Sequence, residues 1–136
     1  MSSQHGYIQS NQTVKVTIAA TYTVQEADSG KILYVPAQTA AQVITLPTIE
    51  TGLHYRFVKT GIAAFASVLT PAAGGTPFQG HIINTNGTPT AVPITAGATV
   101  SFTGTSAIGD YIELHCDGTY WYVNGMSKVA AGLATA

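Results

Sequence analysis

Turn-forming residues interrupt this chain at short intervals: Asp28-Ser29-Gly30, Pro47, Thr51-Gly52, Gly74-Gly75, Asn86-Gly87, Gly97, Gly109-Asp110 and Asp117-Gly118. Between them stand short alternating or β-branched runs, and no helical period is sustained before residue 126. Segments this short do not complete a helix of several turns, but they do span a sheet. The expected strands cover 13–20, 22–24, 31–35, 42–46, 54–59, 66–70, 81–84, 91–95, 99–102, 111–116 and 120–123. Many short strands with such breakers imply an all-β fold, a jelly-roll-like antiparallel β-sandwich. The Thr and Val content agrees, because β-branched side chains suit a pleated, half-buried surface.

The last hairpin allows a parity test. With Asp117-Gly118 as a two-residue type I′ loop, Leu114 would face Trp121 and Ile112 would face Val123. One face is then Ile112, Leu114, Trp121 and Val123, wholly apolar and assigned to the core. The other is Glu113 and His115 against Tyr122 and Tyr120, polar and aromatic. A slip of one residue would mix the two sets. Tyr111 shares the polar face, and tyrosine suits a subunit contact, cover by another part of the domain, or a stacked sugar. Tyr111, Glu113, His115, Tyr120 and Tyr122 are therefore the candidate subunit or glycan contact.

Both ends depart from the strand pattern. The sequence divides into an extended N-terminal arm (1–12), a sandwich domain (13–125) and a short C-terminal tail (126–136) that is Ala-rich and suited to a helical turn or two. The polar arm, with His5, Tyr7 and Ile8, is the candidate contact with a neighbouring subunit.

Charge is scarce: 8% of the 136 residues are Asp, Glu, Lys or Arg, against about 25% in an average soluble domain. A free surface with so little charge is poorly protected against association, which favours an assembled state. The five basic residues, Lys15, Lys31, Arg56, Lys59 and Lys128, are scattered. They make no phosphate track, so nucleic acid is not an expected partner. No apolar run approaches the roughly 18 residues of a membrane span, and the opening residues lack the apolar region of a signal peptide. The single Cys116 excludes an intrachain disulfide, and the expectation is a protein assembled in the cytosol.

Catalytic and metal sites are not expected, nor is any cofactor. His5, His54, His81 and His115 lack metal-ligand spacing. His115 and Cys116 adjoin, yet consecutive strand residues point to opposite faces. There is no G-x-S-x-G elbow. Asp28, Asp110 and Asp117 lie beside or near a glycine and read as turn residues, as does Glu50. That leaves Glu26 and Glu113 without a visible partner for paired-carboxylate chemistry.

The segment Gly109-Asp-Tyr-Ile-Glu-Leu-His-Cys-Asp-Gly-Thr-Tyr-Trp-Tyr-Val-Asn-Gly125 resembles the closing hairpin of many β-structured surface proteins of tailed phages. Tyr22-Thr-Val, Asp28-Ser-Gly-Lys-Ile-Leu-Tyr34, Ile44-Thr-Leu-Pro47 and Gly52-Leu-His-Tyr-Arg-Phe57 follow in an order similar to capsid decoration (cement) proteins and to tail-fibre modules. The resemblance spans roughly residues 20–125. It implies a homotrimer on the outer surface of an icosahedral head, bound to the major capsid protein and cementing adjacent subunits. The alternative it leaves is a receptor- or glycan-binding β module of a tail or head fibre. Either role is that of a non-enzymatic virion protein.

Overall fold

The computed structural model describes residues 21–62 and 64–136, together with the backbone of Val14–Lys15. Its strands are β1 (Val14–Lys15), β2 (Thr21–Thr23), β3 (Ile32–Val35), β4 (Gln42–Thr45), β5 (His54–Lys59), β6 (Ser67–Thr70), β7 (Phe78–Asn84), β8 (Thr90–Gly97), β9 (Val100–Phe102), β10 (Tyr111–Cys116), β11 (Trp121–Ser127) and β12 (Leu133–Thr135). They form a seven-stranded sheet in the order β1-β3-β5-β10-β11-β7-β8 and a five-stranded sheet in the order β12-β9-β6-β4-β2. The two pack face to face as an all-β sandwich. A short 3-10 turn, Glu26–Asp28, joins β2 to β3.

The pairing is mixed where the sequence suggested purely antiparallel strands. From β1 to β7 the chain alternates between the two sheets. Each crossing reverses its direction and two crossings restore it, so successive strands of one sheet run parallel: β3 beside β5, and β2 beside β4 beside β6. Antiparallel pairs comprise the hairpins β7–β8 and β10–β11 and the longer-range pairs β5–β10, β6–β9 and β9–β12.

Alternation along each strand builds the core. In β5, Tyr55, Phe57 and Lys59 point inward while His54, Arg56 and Val58 point outward. In β10 the inward set is Ile112, Leu114 and Cys116, and in β11 it is Trp121, Val123, Gly125 and Ser127. The five-stranded sheet answers with Ile44, Leu69, Val100, Phe102 and Leu133. Trp121 is wholly buried with its ring centroid 6.0 Å from that of Tyr55. Burial of aromatics of this size dominates such a core.

The closing hairpin has a different register from a two-residue loop. Cys116 faces Trp121, Leu114 faces Val123 and Ile112 faces Gly125. The connection is therefore Asp117–Tyr120, and every pair is displaced by two positions. A shift of two leaves each side chain on its face, so the apolar and polar faces keep their members. Asp117 stabilises the longer loop: its Oδ1 accepts the backbone N–H groups of Thr119 and Tyr120, both at 2.8 Å. Gly118 supplies the positive φ (94°) that the bend requires.

The C-terminal segment is likewise no tail. β11 continues to Ser127 and Leu133–Thr135 forms β12, antiparallel to β9. The buried Asn84 side chain fixes it, accepting from Leu133 N–H at 3.0 Å and donating to Leu133 C=O at 3.3 Å. Residues 126–136 thus belong to the sandwich, not to a separate tail with helical turns. The arm, including His5, Tyr7 and Ile8, lies outside the described residues, as does most of the strand expected at 13–20.

Candidate functional site

Register across the seven-stranded sheet places the outward side chains in three rows. Nearest the closing hairpin are His54, His115, Tyr122 and Gln79. The middle row holds Ile32, Arg56, Glu113, Asn124 and His81. The far row holds Tyr34, Val58, Tyr111, Met126 and Ile83.

The five contact candidates share this face but divide into two groups. The His115 and Tyr122 rings lie tilted against each other, with centroids 5.9 Å apart. Tyr120, in the hairpin loop, sets its ring edge toward Tyr122 at 6.3 Å. The Tyr122 hydroxyl donates to Asp117 Oδ2 at 2.7 Å. That bond is the first reason its phenol titrates above the ordinary tyrosine range, while the backbone N–H groups on Asp117 hold its carboxyl below the usual carboxylate range. Tyr111 and Glu113 form the second group. Glu113 pairs with Arg56 on the facing strand, and the Arg56 guanidinium lies 4.4 Å above the Tyr111 ring. Sequence reasoning did not place His54 and Arg56 here, because which strand neighbours β10 is not encoded in the periodicity of either.

Two open clefts flank the sandwich. One of about 280 Å³ lies against this face and is lined by Gly30, Lys31, Ile32, His54, Arg56 and His115 among others. The other, of about 430 Å³, lies at the hairpin end between segments 23–27 and 45–48, with Ala72. The first is below the roughly 300–1,000 Å³ usual for small-molecule sites.

Two buried ionisable side chains are held by structural bonds. Buried Asp110 accepts from Ala107 N–H and Ser127 Oγ, each at 2.7 Å, and from Lys128 N–H at 3.0 Å. It ties the β9–β10 loop to the end of β11. Buried Cys116 has its sulfur 3.4 Å from Gly118 N–H. Among the described residues no three His, Cys, Asp or Glu side chains are grouped to hold a metal ion, and no helix is long and apolar enough to cross a membrane.

The outer face of the five-stranded sheet is chemically simpler. Thr21, Val43, Val68 and Ser101 form one row, and Thr23, Thr45 and Thr70 the next. These two rows carry no charge.

Fold and faces together define an all-β sandwich with charge-poor broad surfaces. No family model matches the chain, and no curated protein or solved structure matches it.

Proposed function

We propose that this chain is a structural virion protein that decorates the outside of an icosahedral phage capsid as a homotrimer and cements adjacent major capsid subunits. The observation that carries this reading is the chemistry of the two broad faces. One offers Thr, Val and Ser with no ionic group. On the other, Arg56 and Glu113 neutralise each other amid tyrosines and histidines. Interface cores are depleted in charge and enriched in tyrosine and methionine. The likeness of its hairpin and turn motifs to phage decoration proteins supports the same assignment.

The mechanism is mechanical. A protein that binds the assembled lattice and not its free subunits stabilises that lattice by mass action. Contacts of apolar burial and neutral hydrogen bonds are weakly screened by salt, unlike exposed ion pairs. Purified protein added to shells stripped of it should therefore restore full occupancy equally at low and at molar salt, read by cosedimentation, and should raise the temperature at which the shells rupture. Location on the tail, or release by salt, would sink the proposal.

The cluster of His115, Tyr120 and Tyr122 favours a second reading, a receptor- or glycan-binding module, since adjacent exposed aromatic rings suit stacking on a sugar. Binding to a glycan array that is abolished by Tyr122→Ser supports this alternative, and silence on the array counts against it.

A further inference from the structure

Two histidines meet across the joint between β5 and β10. Register sets His54 directly opposite His115 in this antiparallel pair, and both side chains are outward and exposed. Cys116 N–H donates to Leu53 C=O at 2.8 Å, which bonds the two residues that flank the pair on one side. His54 and His115 therefore occupy a non-hydrogen-bonded position, where facing Cα atoms lie about 4.5 Å apart and side chains come closest. The turn before β3 holds the backbone there as well. His54 N–H donates to Ser29 Oγ at 3.0 Å, and His54 C=O accepts from Gly30 N–H at 2.9 Å.

The rings are not tied down in this way. Among the described residues neither imidazole has a hydrogen-bond or ion-pair partner. The His54 ring lies over Gly30, where a Cβ would come 3.7 Å from its Nε2, and the His115 ring rests against Tyr122. Both rings border the cleft of about 280 Å³, which Lys31, Arg56 and Glu113 also line. That space is small for an organic ligand and ample for a hydrated ion. The cations around it are already paired, Arg56 with Glu113 and Lys31 with Asp28 at 3.7 Å.

We infer that His54 and His115 form a two-imidazole site for a divalent transition metal such as Zn2+, Ni2+ or Cu2+. Imidazole suits these ions, and metal–nitrogen bonds of about 2.0–2.1 Å set the two ring nitrogens roughly 3 Å apart. Side chains opposed in this register span that gap once both rings turn toward each other, and exposed side chains rotate within nanoseconds. Among the described residues no third His, Cys, Asp or Glu completes the set, so water fills the remaining positions. The ion clips β5 to β10, two strands far apart in the chain. Its affinity for the folded state then becomes folding stability. The inference is independent of the virion reading. His81 supplies the contrast: it is exposed on β7, but its strand neighbours are Asn124 and Pro93.

The test is isothermal titration of the full chain, first freed of metal with EDTA and dialysed, with Zn2+ and with Ni2+. His54→Gln and His115→Gln should each lower the affinity roughly tenfold or more, because a lone imidazole forfeits the second, intramolecular bond. His81→Gln should bind as wild type does. Thermal melting gives an independent readout. Either ion should raise the melting midpoint of wild type and of His81→Gln, EDTA should reverse the rise, and the two site variants should show little of it. Both substituted side chains are exposed, and matching melting curves in EDTA verify that folding is intact; where one site variant melts early, the other decides. No binding by wild type, undiminished binding by His54→Gln or His115→Gln, or an equal loss in His81→Gln would each overturn the inference. Any of these results leaves the decoration reading standing, because shell occupancy is measured without added metal.

Discussion

The Lys59 amine lies 6.0 Å from the centroid of the Phe102 ring, wholly inaccessible and without a hydrogen-bond partner among the described residues. Burial strips water from the ammonium and pushes its pKa below the ordinary lysine value. Between that lowered value and the ordinary one, the unfolded chain binds more protons than the folded chain, so stability rises with pH across the window. Below the window the folded state bears the full penalty, and above it none. Lys59→Met keeps the length of the side chain and removes the amine. It should stabilise the domain at neutral pH by about 1–3 kcal/mol, and the gain should shrink as pH climbs through the lysine range. Urea unfolding of both proteins at neutral and alkaline pH measures this, and a gain that does not depend on pH would contradict it. Tyr55 shows the opposite resolution of the same problem. Its hydroxyl donates to Gln25 C=O at 3.0 Å, and burial first, then Asp28 and Glu26, pushes its pKa up to about 12.

At the scale of elements, the joint between β7 and β11 leaves no room for a side chain at one position. These strands run parallel inside the seven-stranded sheet, and Gly80 faces Val123 across the pair. Gly80 adopts φ 130°, and a Cβ there would lie 2.2 Å from the Val123 carbonyl oxygen. The β7–β8 register shifts at the same place, between Phe78 and Gly80, which is how a bulge redirects a strand. Gly80→Ala should cost at least the roughly 1–3 kcal/mol of backbone strain, read as a lower urea midpoint. Stability equal to wild type would show that the bulge relaxes. The sequence places the Gly74-Gly75 breaker ahead of Gly80 and begins the strand only at His81, three residues after β7 starts. That Gly80 itself is extended and crowded depends on β11, some forty residues away in the chain.

For the whole molecule, closure depends on the last residues. β12 covers the β9 edge, with Leu133 opposite Phe102, and Leu133 is buried. Removing residues 132–136 would expose that edge, empty the Leu133 site and leave the Asn84 amide unsatisfied. Loss of a buried leucine alone costs about 2–5 kcal/mol, and an uncovered strand edge promotes association. The truncated chain should therefore unfold at lower urea and form larger species in light scattering. Unchanged values in both would mean that β12 is dispensable. The Ala-rich composition of this segment suggested helical turns because alanine favours them in isolation. Tertiary pairing with β9 and the clamp from Asn84 override that preference.

What the sequence determined by itself is local: the short strand lengths, the breaker positions, and the faces on which residues 111–116 and 120–123 lie. Those follow from a period of two and from turn chemistry, which neighbouring residues enforce on each other. It also announced the scarcity of charge. Tertiary structure decided the rest. The hairpin register moved by two because parity fixes a strand only to within that step, and the Asp117 bonds selected the longer loop. The parallel pairs arose because the chain alternates between sheets, a choice no single strand records. The same topology brought His54 and Arg56 beside β10. Long-range packing sets which loops share an end, and no single strand records that.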